Sequence, residues 1–178
     1  MSFFSQYPLQ FYDATGTGKN YILTTDITKK IGFRTQALSN ATYFEMYTVK
    51  EGETPESIAF DMYGDATYHW IILLTNNIQD RFYDWPMPIN QLFNFVDNKY
   101  TNMNGVHHYE INQTSGDTTK KVSIGTDNTD YPDATLITNF EYEQNRQDDL
   151  RKIKVVKETY IQQVIAEFKF FMGNRSDG

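Results

Sequence analysis

Three histidines, 23 acidic residues and no cysteine bound the chemistry this chain could perform. His69 falls in an apolar stretch expected to be helical, and His107-His108 open a segment of alternating polarity. Consecutive strand residues point to opposite faces, so His107 and His108 are not expected to chelate one ion together. The lack of cysteine removes thiolate metal sites, thiol nucleophiles and disulfides. Asp127, Asp130 and Asp133 recur at every third position, without the glycine and spacing of a calcium loop. Gly16-Thr17-Gly18-Lys19 lacks the first glycine of a phosphate loop and is followed by Asn20, so it reads as a turn. No Gly-x-Ser-x-Gly elbow is present. Asp61 and the Asp148-Asp149 pair fall on polar helix faces, not in the apolar cleft that a glycosidase acid requires. The expectation is a non-enzyme, with no catalytic, cofactor-binding or metal-ligating residue to assign.

The chain around these residues has 178 residues, 39% of them hydrophobic and 16% aromatic. That length suits one domain, or one small module with arms, and buries roughly 70% of its unfolded surface. The mean hydropathy is −0.60 and no apolar run approaches ~18 residues, so no membrane-spanning helix is expected. The N-terminus has no basic n-region, so a secretory signal is not expected either. A net charge of −7 argues against nucleic acid as a partner. The charge is polarised: residues 47–78 hold one lysine against five carboxylates, and residues 151–178 hold six basic residues against three acidic ones.

Four segments follow from the patterning: an N-terminal arm and strand segment, 1–46; a compact module, 47–86; a helix with a hairpin and polar loop, 87–135; and a helix-strand-helix segment, 136–178. The arm is aromatic (Phe3, Phe4, Tyr7, Phe11, Tyr12) and Pro8 keeps it extended. Tyr21-Ile22-Leu23 reads as a short strand. In the module, Tyr47-Thr48-Val49 is a strand, Thr54 caps a helix that begins at Pro55, and Gly64 stops it. Asp65 then caps a second helix, Ala66 to Thr75, with Trp70, Ile71, Leu73 and Leu74 inward. Ile89, Leu92, Phe93 and Val96 mark an amphipathic helix. Residues 100–133 read as a hairpin turning near Ser115-Gly116-Asp117, with a mobile loop at 125–135. Glu141 to Leu150 is a polar helix and Ile153 to Val156 a strand. Thr159 and Gln162 form a capping box for a last helix, with Ile161, Val164, Ile165, Phe168 and Met172 in one stripe.

Tyr47-Thr48-Val49, Gly52-Glu53-Thr54, Ile58-Ala59, Gly64, Leu74 and Asn76-Asn77 resemble the LysM module. The fold class this implies is α+β, a small LysM-like βααβ module carrying an extended arm, a hairpin insertion and a C-terminal helix-strand-helix. Pro55 departs from the usual leucine, and Asp80 to Pro86 replaces the usual closing strand. Together with Met62-Tyr63-Gly64-Asp65, His69 to Leu74, Asn77-Ile78-Gln79-Asp80 and Tyr83-Asp84-Trp85-Pro86, these departures resemble the LysM-containing baseplate wedge proteins of contractile-tailed, T-even type phages.

That resemblance implies a structural virion protein of the tail baseplate, made in the host cytoplasm, without catalysis or cofactor. It implies contacts with the wedge scaffold proteins, the sheath initiator and the neighbouring wedge, in about six copies around the tail axis. Phe3, Phe4, Tyr7, Phe11, Phe170 and Phe171 are then candidate partner contacts, each of which equally fits core packing. Phe170 and Phe171 are adjacent on a helix and cannot both face one core. The alternative function is binding of an N-acetylglucosamine polymer, peptidoglycan or chitin, in a groove at Gly52, Glu53, Thr54, Asn76, Asn77 and Ile78.

Overall fold

A computed structural model describes residues 7–29, 32 and 42–173. Its five α-helices and seven strands make it an α+β chain among the described residues. Phe3 and Phe4 lie outside the described residues. The chain divides into two compact units, one of residues 1–48, 53–81 and 153–178, the other of 49–52 and 82–152.

The first unit opens with an antiparallel hairpin of β1 (Leu9–Asp13) and β2 (Tyr21–Thr25), with Phe11 opposite Leu23 and Tyr12 opposite Ile22. β3 (Phe44–Thr48) pairs with β7 (Lys152–Val156), which lies more than half the chain away. The Val49 amide donates to Arg151 O and the Lys157 amide to Tyr43 O, both at 2.9 Å, so the two strands run antiparallel. Between them in the chain come α1 (Pro55–Tyr63) and α2 (His69–Thr75). The start of α1 is written locally: Thr54 Oγ1 accepts from the Ser57 amide at 3.2 Å, and Ser57 Oγ accepts from the Thr54 amide at 3.0 Å. Gly64 ends it at φ 71°, donating its amide to Phe60 O.

Asp65 accepts from the Thr67 amide at 2.8 Å and opens a 3-10 turn over Ala66–Tyr68, so the α-helix starts three residues later than the cap suggests. In α2 the fully buried positions are Ile71 and Ile72; Ile72 takes the place expected for Leu73. The last helix, α5 (Ile161–Gly173), is likewise preceded by a 3-10 turn, Glu158–Tyr160. Thr159 sits inside that turn, without the extended backbone of an N-cap, so the expected Thr159–Gln162 capping box does not form. Phe44, Trp70, Ile71, Val156, Ile161, Ile165, Phe168 and Met172 form the core, with the Trp70 and Phe168 rings 4.7 Å apart.

In the second unit, α3 (Ile89–Lys99) and α4 (Asn139–Leu150) pack beside a three-stranded sheet ordered β5 (Lys121–Gly125), β4 (Val106–Asn112), β6 (Thr135–Thr138). α3 presents Leu92 and Val96 inward, and Phe93 stacks on Phe140 at 4.8 Å. Glu51 serves as a remote cap: one oxygen accepts from the Ile89 amide at 2.6 Å and the other from Arg151 at 2.7 Å. The Ile89 amide bond, and next Arg151, hold the Glu51 carboxyl below the usual carboxylate range. β6 occupies residues where only a loop end was expected. Thr138 closes it and opens α4 through a capping box with Glu141.

The strand alternation expected of His107 and His108 fails. The register of β4 against β6 shifts between Val106 and His108, which leaves His107 as the extra residue of a bulge. The two imidazoles therefore meet, with Nδ1 to Nδ1 at 2.8 Å. Among the described residues no group of three or more His, Asp or Glu side chains is arranged to hold a metal ion.

Trp70 is 5% exposed and central to the first unit's core. Trp70→Ala is expected to cost about 3–5 kcal/mol and to lower the thermal midpoint sharply. A melting curve superimposable on that of the parent chain would contradict this placement.

Candidate interaction surface

The β1–β2 hairpin carries apolar side chains on both faces. Leu9, Phe11, Tyr21 and Leu23 share one face, and Tyr12 and Ile22 the other, by the period-two alternation of paired strands. All six are exposed, Phe11 at 74%. The Asp26 amide donates to Pro8 O at 2.9 Å, which makes Pro8–Asp26 a hydrogen-bonded pair. By alternation Gln10–Thr24 and Tyr12–Ile22 are bonded pairs too, while Phe11 and Leu23 direct their backbone groups to the two outer edges. An isolated two-stranded hairpin is marginal in water, and exposed apolar patches mark interaction sites.

The root of the hairpin is fixed to the end of α5. Tyr7 packs against the core and meets Phe168 edge-on at 6.4 Å, and burial raises its hydroxyl above the ordinary tyrosine range. Lys29 Nζ donates to Met172 O at 3.4 Å. At that same helix end Phe170 and Phe171 are 60% and 52% exposed, with rings 5.6 Å apart. Phe168 and Met172 take the inward positions of the turn. Of the sequence-predicted contacts, then, Tyr7 stands inward as an anchor, whereas Phe11, Phe170 and Phe171 stand outward at one end of the unit.

The LysM-like positions are used structurally. Gly52 takes φ 76°, a turn conformation that favours glycine, and Glu53 accepts the Tyr47 hydroxyl at 3.0 Å. Thr54 is the cap of α1. The Asn76 carboxamide is spent on the protein: Nδ2 donates to Ile72 O and Lys154 O, and Oδ1 accepts from the Lys154 amide at 2.8 Å. Both its donors are therefore committed. Asn77 adopts φ 52°, and the Ile78 amide donates to Leu73 O.

A family model described as Base plate wedge protein 53 matches residues 3–131, well over half of the chain. The match spans the hairpin, β3, α1, α2, α3, β4 and β5; β6, α4, β7 and α5 lie beyond it. A search among curated proteins gave no match.

One buried charge went unrecognised in the sequence, because Glu143 looks like any other acid of a polar helix. Its side chain is 0% exposed. Lys99 Nζ at 2.6 Å and the Tyr100 hydroxyl at 2.8 Å both donate to Oε1, while Arg146 stands 3.9 Å from Oε2. Burial pushes the Glu143 carboxyl up, but the two hydrogen bonds and the Lys99 and Arg146 charges outweigh it and leave it below its usual range. Glu143 is thus an ionised anchor for α3, not a proton donor. Its stabilising effect is present above the ordinary carboxylate range and is lost as pH falls through the lowered value. Lys99→Met strands the buried carboxylate and is expected to cost about 2 kcal/mol, discounted for the partial exposure of Lys99. Glu143→Gln, which removes the charge, is expected to cost about 1 kcal/mol. Urea denaturation of both variants checks the order; a Glu143→Gln loss larger than the Lys99→Met loss would contradict it.

Proposed function

We propose a joining role within the phage tail baseplate for this chain, which belongs to the Base plate wedge protein 53 family. Membership makes it a structural component of the baseplate wedge that associates with other baseplate proteins in the virion, and it supports a role without catalysis. The finer reading is that it joins adjacent wedges through protein–protein contacts. On that reading its neighbours include the wedge scaffold proteins and the sheath initiator of contractile tails, in about six copies around the axis.

The observation that carries the reading is the hairpin with exposed apolar side chains on both faces and, among the described residues, no further strand on either edge. A neighbouring subunit that covered it would bury Phe11, Tyr12, Tyr21 and Leu23 as anchors and could add a strand to either edge. The exposed Phe170 and Phe171 stand beside the hairpin root, so the arm and the helix end act as one grip with Tyr7 holding it to the core.

A LysM-like reading of the scaffold is supported by the succession β3, α1, α2 and by the antiparallel pairing of β3 with β7, which comes later in the chain after α3, β4, β5, β6 and α4. On this view β7 is the closing strand, and most of residues 82–152 is an insertion before it. The commitment of Asn76 to Lys154 favours a scaffold over a sugar groove.

Phe11→Ser with Leu23→Ser alters only exposed positions of the first unit. The cross-strand pair lost is worth at most about 1 kcal/mol, so the melting of the core should barely move. Complementation of a phage lacking this chain, followed by electron microscopy, is expected to yield wedges that fail to close into baseplates. Phe170→Ser with Phe171→Ser is expected to do the same more weakly. Normal tail assembly with the hairpin variant would overturn the joining role.

A further inference from the structure

The bulge in β4 brings His107 and His108 into a contact that carries a consequence of its own. Two Nδ1 atoms 2.8 Å apart are joined by one shared proton, since one must donate and the other accept. On its far side His108 Nε2 lies 3.1 Å from Glu110 Oε1. The His107 ring lies flat on Tyr142 of α4, with centroids 3.8 Å apart and planes 10° apart, and Tyr100 meets it edge-on at 6.3 Å. The pair therefore ties β4 to α4. The titratable groups around it are Glu110 on β4, Lys99 at the end of α3 with Tyr100 just after it, and Tyr142 and Glu143 from α4, with Arg146 behind Glu143.

We propose that the His107–His108 pair is an acid-sensitive latch on the β4–α4 packing, closed while the two rings share one proton and opened when both are protonated. The latch is independent of the joining role. The second proton leaves neither Nδ1 with a lone pair to accept, so the bond is lost and two cations face each other at contact distance. Burial, and next the neighbouring His108, already hold the His107 imidazole below its ordinary range; Glu143 pulls it up and Lys99 pushes it further down. The sign follows. Below about pH 6.5 the unfolded chain takes up a proton that folded His107 refuses, so the stability of this packing falls as pH falls.

The test is amide hydrogen exchange of the full chain at about pH 7.5 and about pH 5.5, corrected for intrinsic exchange. Protection of residues 106–112 is expected to drop about tenfold at the lower pH, the effect of one unit of proton linkage. His107→Phe keeps a ring on Tyr142 and carries no proton, so its protection should match at the two pH values. Unchanged protection in the parent chain, or an equal drop in His107→Phe, would overturn the latch. A proton NMR titration of the parent chain decides the matter if His107→Phe does not fold: a His107 resonance titrating at the ordinary histidine value, without a second inflection from its neighbour, would equally overturn it.

Discussion

Asn76 grips Lys154 by both its backbone groups, taking the amide hydrogen on Oδ1 and giving Nδ2 to the carbonyl. The rest of the first unit depends on that grip and on the strand it holds. β7 pairs along its length with β3, and two strands alone are marginal. The carboxamide supplies, from the end of α2, the hydrogen bonds that a further strand would. Tyr63 adds another link by donating to Val156 O at 2.9 Å. With β7 seated, Val156 enters the core and α5 follows after one 3-10 turn, bringing Ile161, Ile165, Phe168 and Met172 onto Trp70 and Ile71. The long excursion between α2 and β7 is thermodynamically mild, because each doubling of a closed loop adds only about 0.6 kcal/mol.

The same closure decides which aromatics are left outside. Phe44, Trp70 and Phe168 fill the core, and Tyr7 and Tyr160 pack against it. The hairpin and the outer side of the last turn of α5 have no such berth. A chain that served only itself would gain by burying Phe11 or Phe171 at roughly 25 cal/mol per Å² of apolar surface. In a member of a baseplate wedge family, that unspent surface is what a neighbouring subunit can use. Tyr7, anchored to Phe168, and Lys29, bonded to Met172 O, keep the hairpin rooted beside the helix end, so on the proposed joining role the two patches would meet a partner together.

The sequence was legible wherever the determinants are local. Thr54, Pro55 and Gly64 announce α1 because caps act within one turn, and Tyr21-Ile22-Leu23 announces a strand by composition, whereas Phe11 reads only as part of an extended arm and its pairing with Leu23 was not foreseen. It was opaque wherever a distant partner decides. Asp80 to Pro86 gives no closing strand, and nothing near residue 80 points to residues 152–156 as the partner of β3. Thr159 reads as a cap until the 3-10 turn absorbs it, whereas Thr138 and Glu141 form the real box. The His107 bulge depends on the register of β6, a strand of four residues that periodicity cannot resolve. The candidate surface was half legible: Phe11, Phe170 and Phe171 stand outward, Tyr7 inward, and the second strand of the hairpin contributes Tyr21, Ile22 and Leu23, which sequence reasoning read only as a strand.

On the proposed joining role, residues exposed in the isolated chain are covered in the assembled tail. Hydroxyl-radical footprinting of the free protein and of the same protein within purified baseplates measures that cover residue by residue. Phe11, Tyr12, Tyr21, Leu23, Phe170 and Phe171 are expected to react readily in the free chain and to be shielded in the particle, while buried Trp70 stays unreactive in both. Equal labelling of the hairpin in the two states would contradict it.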